Sequence, residues 1–159
     1  MNIQHLKLIM LGAVSGILLI MLVGLVVAPH LMLHEAKSPL EFEATVEQII
    51  SNAKAGGWVV PKIYNFQKSI IKHGLEDIGR LKVITLCKAN YASQLLSLDK
   101  NKLISVVMPC SFAVYNKSDG DTYIASINVG IIGWIFGGDV AEIMRSVALE
   151  DQKILDFLS

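Results

Sequence analysis

The apolar positions of this 159-residue chain form one long block followed by short periodic segments. Leu8 to Ala28 carries no charge, and only Ser15 with Gly12, Gly16 and Gly24 interrupts its hydrophobic side chains. At about 1.5 Å of rise per residue, a helix of that length crosses a hydrocarbon core of roughly 30 Å. Beyond it the periods shorten. Residues 31–37 predict a strand, ended by Ser38-Pro39. Phe42, Val46, Ile49, Ile50 and Ala53 recur at helical spacing and predict a helix over 41–55, stopped by Gly56-Gly57. Residues 58–63 predict a strand in which Pro61, lacking a ladder donor, marks an edge or a bulge. Asn65 caps a short helix that runs to His73 and closes at Gly74.

The second half reads as strands first and a helix last. Lys82 to Cys87 is rich in β-branched residues and predicts a strand. A helix is expected near 90–98, a turn at Asp99-Lys100-Asn101 and a strand over Leu103 to Val107, interrupted by Met108-Pro109. Cys110 to Tyr115 and Thr122 to Asn128 pair through the Asp119-Gly120 hairpin. Gly130 to Gly138 reads as an apolar, glycine-punctuated loop. Asp139, as N-cap, then opens a helix to Leu158 with Val140, Ile143, Met144, Val147, Ile154, Leu155 and Leu158 on one stripe. The fold class expected is α+β, one mostly antiparallel sheet with helices packed on it, plus an N-terminal transmembrane helix. The organisation expected is a tail over 1–7, an anchor over 8–28 and a single exported domain over 29–159.

Composition sharpens this division. The chain is 53% hydrophobic and 18% charged, which excludes intrinsic disorder. Its 14 basic and 14 acidic residues cancel, and only Lys7 precedes Ala28 among the charged residues, so no nucleic-acid footprint is visible in the domain. Val26-Val27-Ala28 has the small-residue character of a signal-peptidase site. Pro29 would follow the cut, however, and the run exceeds an ordinary signal core, so an uncleaved anchor is expected. Lys7 and the terminal amine before the span, against Lys37 after it, lean towards a domain outside the cytoplasm, periplasmic in a bacterium. Gly12 and Gly16 are spaced to pack two such helices into a homodimer.

The candidate chemistry is sulfur. Cys87 and Cys110 are the two cysteines, one ending a predicted strand and the other beginning one. Three readings stay open: small buried hydrophobes, a disulfide or redox pair, or soft donors to a metal, haem or other thiol-reactive ligand, with Met108 or His73 nearby. The C-x-x-C spacing of zinc ribbons and thioredoxin-type sites is absent. Pro109 reads as a plain edge or bulge proline, with a cis bond shaping a pocket as the alternative. Trp134 and Phe136 make the glycine-rich segment apolar, fit to line a pocket, meet a partner or pack in the core. The glycines precede a helix as phosphate loops do, but no Gly-Lys-Ser/Thr follows and Asp139 sits where phosphate would. His30 and His34 read as interfacial polar residues, and His73 as a helix-end cation. No metal ligand set and no cofactor are assigned.

The residues of the second half resemble those of the domain-of-unknown-function family 302. The likeness is carried by Trp58 in GW, Ile63-Tyr64 with Gln67-Lys68-Ser69, the run ending at Cys87, Met108-Pro109-Cys110, Val114-Tyr115, Asp119-Gly120 before TYIASIN, and FGGDVAEIM at 136–144. It covers about residues 38–158 and implies an α+β fold named after a thermophile representative. Lys88-Ala89 follows Cys87 where family members often carry Asn-Pro. The family has no settled activity. The function expected is therefore a membrane-anchored binding or accessory domain with a small-ligand or soft-metal site at Cys87, Met108, Pro109 and Cys110. Tyr64, Trp134 and Phe136 are its pocket candidates. A thiol-redox or sulfur-handling enzyme using the two cysteines and a dimerisation domain without a site are the alternatives.

Overall fold

The computed structural model describes residues 3–158; Met1, Asn2 and Ser159 lie outside the described residues. The chain divides into two compact units, the first ending at Met32 and the second beginning at Leu33. The first is a single helix, α1 (Ile3–Met32), which takes in part of the expected tail and continues past Pro29. Its apolar stretch Met10–Met32, 23 residues with no part of it buried, is long enough to cross a membrane.

The second unit is the α+β domain. Its elements run β1 (Leu33–Lys37), α2 (Phe42–Ala55), β2 (Val59–Asn65), α3 (Phe66–Lys72), β3 (Leu81–Cys87), α4 (Ala89–Leu96), a 3-10 segment (Asp99–Val107), β4 (Cys110–Asn116), β5 (Thr122–Ile127), α5 (Val129–Phe136) and α6 (Gly138–Ile154). The strands form one antiparallel sheet in the order β1-β5-β4-β3-β2. Pro61 lies where the expectation put it, on the edge strand β2, where the register shifts between Val59 and Lys62. Asn65 caps α3 by accepting a hydrogen bond from the Lys68 backbone N–H at 2.8 Å.

Alternation along the strands sends Ile84, Leu86, Phe112, Val114 and Ile124 to one face. There they pack against Phe42, Val46, Ile49 and Ala53 of α2 and against Val147 and Ile154 of α6. The opposite face carries a polar network. Tyr115 and Tyr123 stack with ring centroids 6.2 Å apart. Glu35 accepts from Tyr115 Oη and from Lys117 Nζ. A second apolar cluster joins Leu95, Ile104, Ile132, Val140 and Met144 from α4, the 3-10 segment, α5 and α6.

Three expectations are corrected here. Residues 103–107 are not a strand, and 99–101 are not a separate turn, since both belong to the 3-10 segment. Its buried residues, Asn101 and Ile104, are three apart, the period of that helix. Burial of Ile104 against Leu95 and Met144 overrides the β-branched character of LISVV. Residues 130–138 are not a loop either: they supply most of α5, which Asn128 caps by accepting from the Ile131 N–H. Gly133 serves packing, for a Cβ built there would lie 2.7 Å from Met144 Cβ and 3.3 Å from Ala141 Cα. Within this stretch the left-handed backbone is confined to Gly137 and Gly138, at φ +66° and +51°, which turn the chain between α5 and α6. Asp139 is accordingly not the N-cap, a position held by Gly137. It sits in the first turn of α6, where its charge meets the positive end of the helix.

Candidate functional site: a sulfur-lined cavity at the sheet end

β3 ends and β4 begins at the same end of the sheet, with Leu86 opposite Cys110 in the antiparallel register. Cys87 follows Leu86 directly, so the two cysteines arrive at one end of two adjacent strands. Both are free thiols. The 3-10 segment returns the chain to this end, and the Met108–Pro109 peptide, which is cis, leads into β4. Pro109 is thus in the joint before the strand, not within it.

These four residues line one cavity, together with Met144 of α6 and a largely apolar wall that includes Leu95, Ile132 and Val147. Four sulfur-bearing residues, two cysteines and two methionines, are among those that line it. Its volume is about 30 Å³. That holds one or two small atoms and is far below the roughly 300–1,000 Å³ of ordinary organic-ligand pockets. Among the described residues no three His, Cys, Asp or Glu side chains cluster as a metal site, so any donor set here depends on the methionines.

One edge of the cavity is polar and closed on itself. Lys88, Tyr91 and Trp58 line it, and all three donate to Glu150: Lys88 Nζ to Oε2 at 2.7 Å, Trp58 Nε1 to Oε2 at 2.8 Å and Tyr91 Oη to Oε1 at 2.8 Å. Lys88 also donates to the Gly56 carbonyl at 2.9 Å and stands 5.7 Å and 5.5 Å from the Trp58 and Tyr91 ring centroids. Burial resists ionisation of Glu150, but these three hydrogen bonds outweigh it and hold the carboxyl below its ordinary value. The edge is therefore a satisfied network that fixes Trp58 and Lys88 against the cavity.

Burial, reinforced by the nearby Asp151 and Cys87, pushes the Cys110 thiol up to about 12. Asp151 borders a shallow groove of about 230 Å³ with Cys110, Pro109 and Ser111. Burial, and after it the charge of Glu150, raises its carboxyl to about 7. Its Oδ1 is buried without a hydrogen-bond partner.

The structure brings together Cys87, Met108, Pro109 and Cys110 and leaves out the three pocket candidates. Tyr64 is on the edge strand β2 beneath Lys62, whose Nζ lies 4.8 Å from its ring centroid. Trp134 and Phe136 are exposed at the end of α5. His73 caps α3 with its ring Nδ1 2.8 Å from the Ser69 carbonyl and lines no part of the cavity. Met144 entered the sequence reading only as a stripe residue. Its place in a helical repeat gave no sign that it would meet the cysteines. Glu150 and Asp151 had no distinguishing signal at all.

The site and fold together define a two-layer α+β domain with a thiol and thioether cavity at one sheet end. The chain belongs to the family described as "Domain of unknown function DUF302", whose model matches residues 34–157. The fold is that of the uncharacterized conserved DUF302 protein from Bacillus stearothermophilus. That crystal structure is 19% identical, covers 80% of this chain and 98% of its own, and superposes with a TM-score of 0.71. No curated protein matches the chain.

Proposed function

We propose that this chain is a membrane-tethered accessory domain whose cavity takes up a single soft metal ion. The observation that carries this reading is the convergence of Cys87, Met108, Cys110 and Met144 on one small apolar cavity. Thiolate and thioether donors select soft ions such as Cu(I) over hard ones, and the volume suits an ion better than an organic molecule. The α1 helix holds the domain at the membrane. The basic residues around the span favour the side outside the cytoplasm, a placement that a reporter fused after Ser159 tests directly.

The high Cys110 value sets the energetics. Its thiol is protonated at neutral pH, so uptake must displace that proton, and affinity rises with pH. The same value disfavours a thiol-redox enzyme, because a buried thiol with little thiolate character is a poor nucleophile.

The test is a Cu(I) titration of the full chain in detergent against a chromophoric chelator. One ion per chain is expected, with affinity rising roughly tenfold per pH unit for each proton released. Cys110→Ser and Cys87→Ser should each lose that ion while keeping the far-ultraviolet circular dichroism of the parent. Equal uptake by parent and both variants would remove the cavity as the site.

A further inference from the structure

Helix α5, VGIIGWIF, has no polar side chain, a composition that belongs inside a core or against lipid. Only Ile132 and Gly133 are buried. Trp134 is 81% exposed, Ile135 58% and Phe136 45%. Scattered apolar residues are ordinary on a surface, but three consecutive exposed apolar side chains that include a tryptophan mark an interaction site.

We infer that this patch is a lipid-contact surface, placing Trp134 and Phe136 in the interfacial layer of a bilayer. The inference rests on the tethered reading of α1. β1 starts at Leu33, the residue after Met32, so no linker separates the domain from the helix. A domain of this size has a radius of gyration of about 14 Å. Its surface therefore stays within a few nanometres of any bilayer that α1 spans. At the millimolar effective concentrations of short tethers, a weak contact is enough to hold. Tryptophan and phenylalanine suit this layer, where an aromatic ring lies among acyl chains and headgroups.

The test uses the full chain in phosphatidylcholine vesicles brominated in the upper acyl chain, with tryptophan emission as the readout. Trp58 is the other tryptophan and is buried in the core. Emission of the parent should be quenched, and the quenched part should be missing from Trp134→Phe. Equal response of parent and variant overturns the proposal. So does an unquenched Trp134 whose replacement lowers a dimer population in sedimentation, since a second copy then occupies the patch. Carbonate extraction of the same vesicles scores the anchor separately. A chain removed by carbonate but quenched through Trp134 keeps the patch and loses the anchor; a resistant, unquenched chain does the reverse.

Discussion

Asp151 keeps Oδ1 buried without a donor, and burial together with the Glu150 charge lifts its carboxyl from 3.8 to about 7. A raised carboxyl favours the neutral form in the folded state. Its contribution is complete below about pH 3.8 and is lost as pH rises towards 7. At 1.36 kcal/mol per unit, that loss is at most about 4 kcal/mol. Asp151→Asn removes the titration. The variant should gain roughly 1–4 kcal/mol over the parent at pH 8 and little at pH 4, as urea unfolding at the two values would show. A variant with the parent's pH dependence would contradict this account of the residue. At this scale the sequence marked the cysteines by rarity and Met108-Pro109-Cys110 by its resemblance. It could not mark Asp151 or Glu150, because one carboxylate among 14 acidic residues reveals nothing of its burial before the fold is known.

Elements with one clear period were legible from hydrophobic spacing: α2, β3, β4, β5 and α6 all form close to their expected positions. The misread pair, the 3-10 segment and α5, differ in cause. α5 is short and apolar without a charged face, so periodicity has nothing to contrast; in the 3-10 segment the apolar half LISVV reads as a strand, and tertiary packing of Ile104 decides otherwise. Gly133 illustrates this. It read as loop punctuation, yet it is the point at which α5 approaches α6. Gly133→Ala should therefore destabilise the domain by about 1–3 kcal/mol, despite alanine's better helix propensity, because its Cβ overlaps Met144. Thermal denaturation of the variant checks the sign. A gain in stability would mean that α5 and α6 are not held this closely. The same contact carries Met144, a cavity wall, so loss of Cu(I) affinity should accompany the loss of stability.

At the scale of the whole molecule, the division at Met32/Leu33 separates two kinds of chemistry. The family model matches residues 34–157, all of them beyond α1. Residues 33–159 expressed alone should give a cooperative unfolding transition and the parent's strand and helix content by circular dichroism. A non-cooperative transition would show that α1 contributes to the domain's stability. The sheet order has a further consequence, for biogenesis. β1, the first strand to be synthesised, pairs only with β5, Leu33 opposite Ile127. It must wait until nearly the whole domain has emerged. A five-residue strand carrying Glu35 and Lys37 is suited to that wait, since short, charged edges resist pairing with other chains. A nascent chain halted before Thr122 has no β5, which leaves β1 without a partner and the β4 edge open. Closure of the sheet thus reports that translation has passed Ile127, and incomplete chains carry an exposed edge by which they can be distinguished from finished ones.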